Sequence, residues 1–287
     1  MRFTTYLHQG QPRLGVVTDS GVIDFHAANP GVPTQLRAAL EAEVDLQAAA
    51  RRAIDSSAPR QALDALSFAP LLPEPGKTIC LGLNYYDHAK EGGREKPDYP
   101  WFFLRSKSSL LGHLQPALCP KVSSQLDYEA ELAVVIGRRV PRHIAPAAAL
   151  DFVFGYTCFN DMSIRDYQKR TPQWTIGKNF DATGGFGPTL VTADELDPGA
   201  ADLRIQSRLN GQVMQDANTS DMISGVAETI ALLSQCLTLD PGDVIVMGTP
   251  AGVGFARKPP VWMKPGDTIE VEIARIGVLS NPIAMEV

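Results

Sequence analysis

The sequence predicts a β-rich α+β protein, and the turn signals between its strand-like runs carry this prediction. Asn210-Gly211 joins the runs Leu203 to Leu209 and Gln212 to Asp216, and this dipeptide favours the two-residue turn of a β-hairpin. Pro-Gly-Asp occurs at 241–243 and at 265–267, and each copy precedes a run rich in β-branched residues. These two runs, 244–247 and 268–276, are therefore expected to be strands.

Few helices are expected. One long helix is clear, from Met222 to Leu237, with Asp221 as its N-cap. The glycine-rich stretch Gly184 to Gly187 precedes a further strand-like run and is expected to be a turn. The chain has no internal repeat and no low-complexity tract.

Composition limits the function classes. The 287 residues are 44% hydrophobic, which is enough for a sizeable core. Lys and Arg number 26 against 32 Asp and Glu, and the net charge of −6 argues against nucleic-acid binding. No run approaches the ~18 apolar residues that span a bilayer, and no signal peptide is visible, so a cytoplasmic protein without membrane partners is expected. The four cysteines, 80, 119, 158 and 236, lack any C-x-x-C spacing and are expected to be buried free thiols.

Residues 1–70 are expected to form a small N-terminal α+β domain. Short strand-like runs between Arg2 and Phe25 precede an Ala- and Leu-rich stretch, Thr34 to Ile54, that has helical spacing. Prolines at 70, 73 and 75 and a glycine at 76 then interrupt the pattern. Residues 71–287 are expected to form the main domain.

The predicted main domain, which is identified below as the catalytic one, begins with a buried strand, a short helix and a polar loop. These are 77–83, 86–91 and 92–100. Gly92-Gly93 ends the helix, and the Gly, Pro and charge content of the loop is typical of a mobile segment or a lid. Strands are expected again at 101–105 and 152–160.

The run Leu126 to Gly137 has the pattern of a strand that carries two acids. Successive side chains of a strand point to opposite faces, so Glu129 and Glu131 share one face while Leu132 and Val134 take the other. If they are buried, two neighbouring carboxylates need a cation or a proton. A solvent-exposed edge strand would also explain an isolated E-x-E.

A third carboxylate, Asp161, follows the strand at 152–160. If the next segment is a helical turn, Asp161, Arg165 and Gln168 share one face. Together with Glu129 and Glu131, this aspartate would offer three oxygen ligands to Mg²⁺ or Mn²⁺. About three of six octahedral positions would then remain open, as in a catalytic metal site.

Two further patterns suggest chemistry. His88 and Glu91 are three residues apart on the short helix, so the carboxylate can orient the imidazole as a general base. An ion pair on a helix surface would give the same spacing. Lys178 lies in an aromatic and glycine-bearing segment where few surface lysines occur. The loop Gly248 to Gly254 does not have the G-x-G-x-x-G spacing, and no helical pattern follows it, so a Rossmann site is excluded.

Together these patterns resemble the fumarylacetoacetate hydrolase family. Five blocks match it in order between about Lys77 and the C-terminus. They are Asn84 to Glu91, Glu129-x-Glu131, Asp161 with Arg165 and Gln168, Gly177-Lys178, and Gly248 to Gly254. The resemblance implies a mixed β-sandwich roll behind a small N-terminal domain, a Mg²⁺ or Mn²⁺ site, and a homodimer.

The resemblance also implies roles for individual residues. The implied metal ligands are Glu129, Glu131 and Asp161, and the implied catalytic residues are His88, Glu91 and Lys178. The implied substrate-binding residues are Arg105, Arg165, Gln168 and Thr249. Many small members carry Lys where this chain has Arg105, which leaves the choice of substrate open.

The expected reaction is hydrolysis of a C–C bond in a 2,4-dioxo acid, such as an acylpyruvate or fumarylpyruvate, to pyruvate and a carboxylic acid. A metal ion would stabilise the departing enolate, His88 would activate water, and Lys178 would stabilise the oxyanion. The alternative uses the same site without water attack, as an isomerase, a decarboxylase or an oxaloacetate tautomerase. A non-catalytic binding module is a third possibility, and would leave the acidic and His–Glu sets without a role.

Overall fold

Turn chemistry sets the ends of several strands in the computed structural model, which describes residues 1–287. Asn210 and Gly211 both have positive φ, 52° and 79°, and they connect the hairpin partners Leu209 and Gln212. A type I′ turn requires this backbone conformation at both central residues. Both Pro-Gly-Asp sequences also precede strands. The predicted strand-dominated α+β class is confirmed.

The chain forms eighteen strands and eight α-helices. The strands are β1 (Arg2–His8), β2 (Gln11–Thr18), β3 (Gly21–Asp24), β4 (Arg60–Gln61), β5 (Thr78–Gly82), β6 (Trp101–Arg105), β7 (Leu110–Leu111), β8 (Ala117–Cys119), β9 (Leu126–Asp127), β10 (Ala130–Ile136), β11 (Val153–Asp161), β12 (Ser163–Ile164), β13 (Gly184–Thr192), β14 (Arg204–Leu209), β15 (Gln212–Asn218), β16 (Val244–Val246), β17 (Thr268–Ile273) and β18 (Gly277–Met285). The helices are α1 (Phe25–Ala28), α2 (Leu36–Glu41), α3 (Leu46–Asp55), α4 (Tyr86–Glu91), α5 (Pro146–Ala149), α6 (Arg165–Gln168), α7 (Thr175–Lys178) and α8 (Val226–Ser234).

The strands form three sheets. The largest has the order β4-β3-β2-β1-β13-β11-β10-β16-β5-β6, with β7 paired to β13. A five-stranded sheet has the order β15-β14-β17-β18-β8, and β9 pairs with β12. Strand β10 lies inside the largest sheet, antiparallel to both β11 and β16. Its acidic end is therefore not a solvent-exposed edge.

The core lies on both faces of β10. Leu132 and Val134 point into a cluster that contains Ile205 and Val271 of the five-stranded sheet. Alternate residues of β10 point the other way, into a cluster that includes residues of β1, α2 and α3. The side chain of Glu131 points the same way as these alternate residues. It therefore lies on the face opposite Leu132, as the alternation of side chains along a strand predicts.

The N-terminal residues extend the largest sheet. Strand β1 pairs with β13 through Arg2–Val191, Phe3–Leu190 and Thr4–Thr189, and Phe3 shares a hydrophobic cluster with Val135 of β10. Residues 1–70 thus share a sheet and a core with the rest of the chain. Their status as a separate domain stays a prediction.

Three sequence expectations about local structure were wrong. The long helix begins at Val226 rather than Met222. Asp221 instead accepts a hydrogen bond from Asn218 N in a preceding 3₁₀ turn, and Glu228 closes the helix start by accepting from Gly225 N. This capping contact takes the place of the predicted one.

The second error concerns Gly184 to Gly187, which belongs to β13 and is not a turn. The third error concerns the helical turn expected to join Asp161 to Arg165. Asp161 ends β11, and helix α6 begins only at Arg165, so the two residues share no helix. The cysteines also differ in part: Cys236 is exposed, while the other three are buried free thiols as expected. No helix has the length and apolar content needed to cross a bilayer.

The hairpin turn offers a test of the fold. Replacing Gly211 by Ala should lower the free energy of unfolding by about 1 kcal/mol, because an L side chain is strained at φ 79°. No atom lies within 4 Å of the added Cβ, so the loss would be conformational and not steric. Chemical denaturation measures it.

The matched control is Gly31→Ala, whose added Cβ also meets no atom within 4 Å and whose φ is not positive. Gly31→Ala should leave stability unchanged or slightly raised. Equal effects of the two substitutions would contradict the turn assignment.

Candidate metal centre and active site

Two neighbouring strands bring the three predicted metal ligands together. The predicted strand from Leu126 to Gly137 is interrupted at residues 128 and 129, so Glu129 immediately precedes β10 and Glu131 is its second residue. Asp161 ends β11, which pairs with β10. Candidate ligand oxygens of the three residues all lie within 4.8 Å of one another. Each residue is at most 4% exposed. The alternative of an exposed E-x-E is therefore excluded.

Buried cations compensate part of this charge. Lys178 Nζ lies 2.5 Å from both Glu129 Oε2 and Asp161 Oδ2, and Arg165 Nη2 lies 2.6 Å from Glu129 Oε1. Burial alone would raise the pKa of Glu129, but the charges of Lys178 and Arg165 lower it to about 2. Burial would lower the pKa of Lys178, but the charges of Asp161 and Glu129 raise it. Both residues are therefore charged at neutral pH.

Glu131 has no such partner. Its side chain accepts one hydrogen bond, from Gly248 N at 2.5 Å, and no cation of the chain lies within 4.0 Å of it. Burial, followed by the charges of Asp161 and Glu129, raises its pKa well above the usual range. Glu129, Glu131 and Asp161 thus offer three carboxylates to one point, and Glu131 has no cation to balance it. Such a donor set fits a hard divalent ion such as Mg²⁺ or Mn²⁺.

Arg105 does not lie where a substrate-binding residue is expected. Its guanidinium is fully buried behind Asp161, with Nε donating to Asp161 Oδ1 at 2.7 Å and Nη2 donating to the carbonyls of Met162 and Thr183. It is absent from the cavity wall. A Cβ on residue 184 would lie 2.8 Å from Arg105 Nη1, which explains the glycine there. Arg105 therefore positions Asp161.

Asp127 is a buried acid of this site that the sequence analysis missed. It is fully buried and accepts hydrogen bonds from Arg165 Nε at 2.8 Å, Gly254 N at 2.7 Å and Phe255 N at 3.0 Å. It thereby fixes Arg165 and ties the glycine-rich loop to the acidic strand. The sequence did contain a signal for Asp127, because the alternation of side chains along a strand predicts that residues 127, 129 and 131 lie on the same face.

Gln168 and Thr249 reach the same site. Gln168 Oε1 accepts from Arg165 Nη1 at 2.9 Å, and Thr249 Oγ1 donates to the carbonyl of Ala130 at 3.0 Å. Gln215, also missed, donates from Nε2 to Thr249 Oγ1 at 2.7 Å. No sequence signal identifies Gln215, since it occupies an ordinary hairpin strand.

The predicted dyad is formed. His88 Nδ1 and Glu91 Oε1 are 2.8 Å apart, and Glu91 Oε2 accepts from Gly252 N at 2.8 Å. Because an ionised carboxylate only accepts, the proton of a neutral His88 lies on Nδ1, which leaves Nε2 as a free base. The chain offers Nε2 no hydrogen-bond partner.

One cavity of about 570 Å³ unites these groups. Seven of the predicted residues line it: His88, Glu129, Glu131, Arg165, Gln168, Lys178 and Thr249. Glu91, Arg105 and Asp161 lie behind this wall and support it. Gly92 and Arg94, from the predicted lid, also line the cavity, whose outer wall includes Trp101 and Trp174.

Comparison with known proteins agrees with this geometry. A model of the C-terminal domain of fumarylacetoacetate hydrolases matches residues 77–284. The chain belongs to the fumarylacetoacetate hydrolase family. The mixed β-sandwich fold that the resemblance implied is therefore confirmed.

Three similar proteins show the range of activities in this family. The Xenopus laevis protein named oxaloacetate tautomerase fahd2, mitochondrial, is 40% identical over 277 residues, which cover 95% of this chain and 86% of that protein. The Homo sapiens oxaloacetate tautomerase FAHD2A, mitochondrial, is 40% identical over 281 residues, covering 96% and 88%. The structure of maleylpyruvate hydrolase from Sphingobium sp. SYK-6 with manganese(II) and pyruvate matches with a TM-score of 0.83 and 30% identity over the full length of both chains. The cytoplasmic location expected here stays a prediction.

The metal centre can be tested without an activity assay. Glu131→Gln should keep or raise the stability of the metal-free protein, because it replaces an acid whose ionised form is destabilised by burial and by the charges of its neighbours. It should also weaken Mn²⁺ binding at least about tenfold, since a neutral amide is a poorer ligand for a hard cation. Thermal unfolding with and without Mn²⁺ reports both effects, because a ligand that binds the folded state raises its stability.

The control is Asp166→Asn, which removes an acid that bonds Ser123 and belongs to no ligand cluster. Its stabilisation by Mn²⁺ should equal that of the wild type. A Glu131→Gln protein that Mn²⁺ stabilises as strongly as the wild type would refute the assignment.

Proposed function

We propose that this family member catalyses keto–enol tautomerisation of oxaloacetate or a similar small 2-oxo dicarboxylic acid. The observation that carries the proposal is the free Nε2 of His88 in the same cavity as Glu129, Glu131 and Lys178. Two tautomerases that are 40% identical over nearly the whole chain support it. Tautomerisation needs one base for a carbon-bound proton and a positive environment for the oxygen that gains charge.

The chain's own residues supply both requirements. His88 Nε2 takes the proton from carbon 3 of the keto acid, and Glu91 stabilises the imidazolium that results. The electron pair of the broken C–H bond moves to the 2-oxo oxygen, where the Lys178 ammonium stabilises the negative charge. A proton from water completes the enol at that oxygen while the imidazolium of His88 returns its proton to solvent, and the reverse sequence regenerates the ketone. Gln168 and Thr249 orient the acid by hydrogen bonding.

A divalent ion fits this scheme. Glu129, Glu131 and Asp161 would hold it, and the bound ion would act as a Lewis acid toward the carboxylate and 2-oxo oxygens. We include either Mg²⁺ or Mn²⁺ in the proposal, since three carboxylate oxygens suit both ions. We also retain the homodimer as part of the proposal, which sedimentation equilibrium tests.

The second candidate is the C–C hydrolase of a 2,4-dioxo acid. A cavity of about 570 Å³ favours it, because this volume far exceeds the size of a four-carbon acid. The similar maleylpyruvate hydrolase structure, which holds manganese and pyruvate, also supports it. In that reaction His88 would take a proton from water as the water attacks the distal carbonyl.

The first test uses His88→Ala. This substitution should slow enol-to-ketone conversion of oxaloacetate, followed by ultraviolet absorbance, by at least about 100-fold, the usual effect of removing a general base. Mn²⁺ affinity should not change, since His88 is not among the clustered carboxylates. His143→Ala, at an exposed histidine outside the cavity, is the control and should retain full activity.

A second measurement separates the two candidates. Acylpyruvates and fumarylpyruvate are incubated with the wild type in ¹⁸O-labelled water, and the released acids are examined by mass spectrometry. We expect fast oxaloacetate tautomerisation with little cleavage. Rapid cleavage with label in the acid, together with no acceleration of tautomerisation, would replace the tautomerase by the hydrolase.

A further inference from the structure

Three cations line the outer part of the active-site cavity without any acidic partner. They are Arg94, Lys169 and Arg170, here called the cationic rim. The inner cations Arg165 and Lys178 are ion-paired with buried acids, whereas no carboxylate lies within 4.0 Å of the rim side chains. The rim side chains also make no hydrogen bond within the chain. This concentration of free positive charge occurs in a protein whose net charge is −6.

Aromatic rings hold the rim in place. Lys169 Nζ lies 4.5 Å from the centre of the Phe255 ring, Arg94 Cζ lies 4.9 Å from that of Trp101, and Arg170 Cζ lies 3.6 Å from that of Tyr167. A cation–π contact fixes a cation without neutralising its charge. The N–H groups of the rim therefore remain available to an anion.

The Phe255 ring links the rim to the acidic centre. Arg165 Cζ lies 4.6 Å from the centre of this ring, and Arg165 Nη2 lies 2.6 Å from Glu129 Oε1. Lys169 therefore contacts the same ring as Arg165, which is ion-paired with Glu129. Burial and the charge of Arg165 lower the pKa of Lys169, which agrees with a position in positive potential.

The acids of the cavity lie only at its inner end. Glu129 and Glu131 are the carboxylates among the residues that line it. A ligand that reaches from these acids to the opening therefore contacts two kinds of site. The inner carboxylates suit an electrophilic group or a group bound through a cation, and the outer cations suit a negatively charged group. A 2-oxo dicarboxylic acid has this polarity, because its second carboxylate is at the far end of the chain.

We propose that the cationic rim binds the distal carboxylate of a 2-oxo dicarboxylic acid and so selects diacids over 2-oxo monoacids. The inference rests on the proposed function, because it assumes that the 2-oxo acid end lies at the inner carboxylates. Lys169 is the central member, since it shares a ring with Arg165. Exposed ion pairs are individually weak, so the rim sets specificity through several modest contacts.

Binding of two unreactive probes tests the proposal. 2-Oxoglutarate and 2-oxopentanoate have the same chain length and differ in the distal carboxylate. Calorimetry with the full-length protein and Mn²⁺ should show that the wild type binds 2-oxoglutarate at least about fivefold more tightly. Lys169→Met keeps a side chain on Phe255 and should reduce this preference about threefold. The double variant Lys169→Met with Arg170→Gln should remove the preference.

The control is Lys121→Met, which makes the same change in net charge at an exposed lysine outside this cavity. It should keep the wild-type preference. Equal affinity of the wild type for both probes, or an undiminished preference in the double variant, overturns the rim and leaves the proposed function standing. A wild type that binds neither probe overturns the proposed function and the rim with it.

Discussion

Four acids are buried together around the candidate metal centre, and the chain buries only three cations with them. The acids are Asp127, Glu129, Glu131 and Asp161, and the cations are Arg105, Arg165 and Lys178. One negative charge is left over in a region where unpaired charge is costly. Glu131 is the acid that lacks a cation, because its partner is a backbone amide, and its raised pKa reflects this cost. With all four acids ionised, a divalent ion would change the formal local charge from minus one to plus one, and a positive site favours an anionic substrate.

The carboxylate centre could be predicted because it depends on local geometry. The period of two placed Glu129 and Glu131 on one face, and the helical spacing of three placed His88 beside Glu91. Asp161 was included for the wrong reason, since it ends a strand and shares no helix with Arg165. It still reaches the site, because antiparallel pairing of β10 with β11 brings their two ends together.

The rest of the site depends on contacts between distant segments, which a single sequence does not show. Arg105 was expected to face the substrate, but carbonyls of residues 162 and 183 and the acid at 161 draw its guanidinium inward. Gln215 orients Thr249 from a hairpin of the other sheet. Neither contact has a spacing signature, because the partners are more than 30 residues apart.

Tautomerisation and hydrolysis make opposite demands on water around the same His88. Proton exchange with carbon 3 proceeds best in a dry cavity, whereas hydrolysis needs a water molecule beside Nε2. Arg94 belongs both to the rim and to the irregular, exposed segment 92–100. A distal carboxylate bound by Arg94, which contacts Trp101 in the cavity wall, would occupy the opening and displace solvent from it. A diacid would thus favour proton transfer over water attack, so that recognition of the far end of the substrate also influences which reaction takes place at the near end.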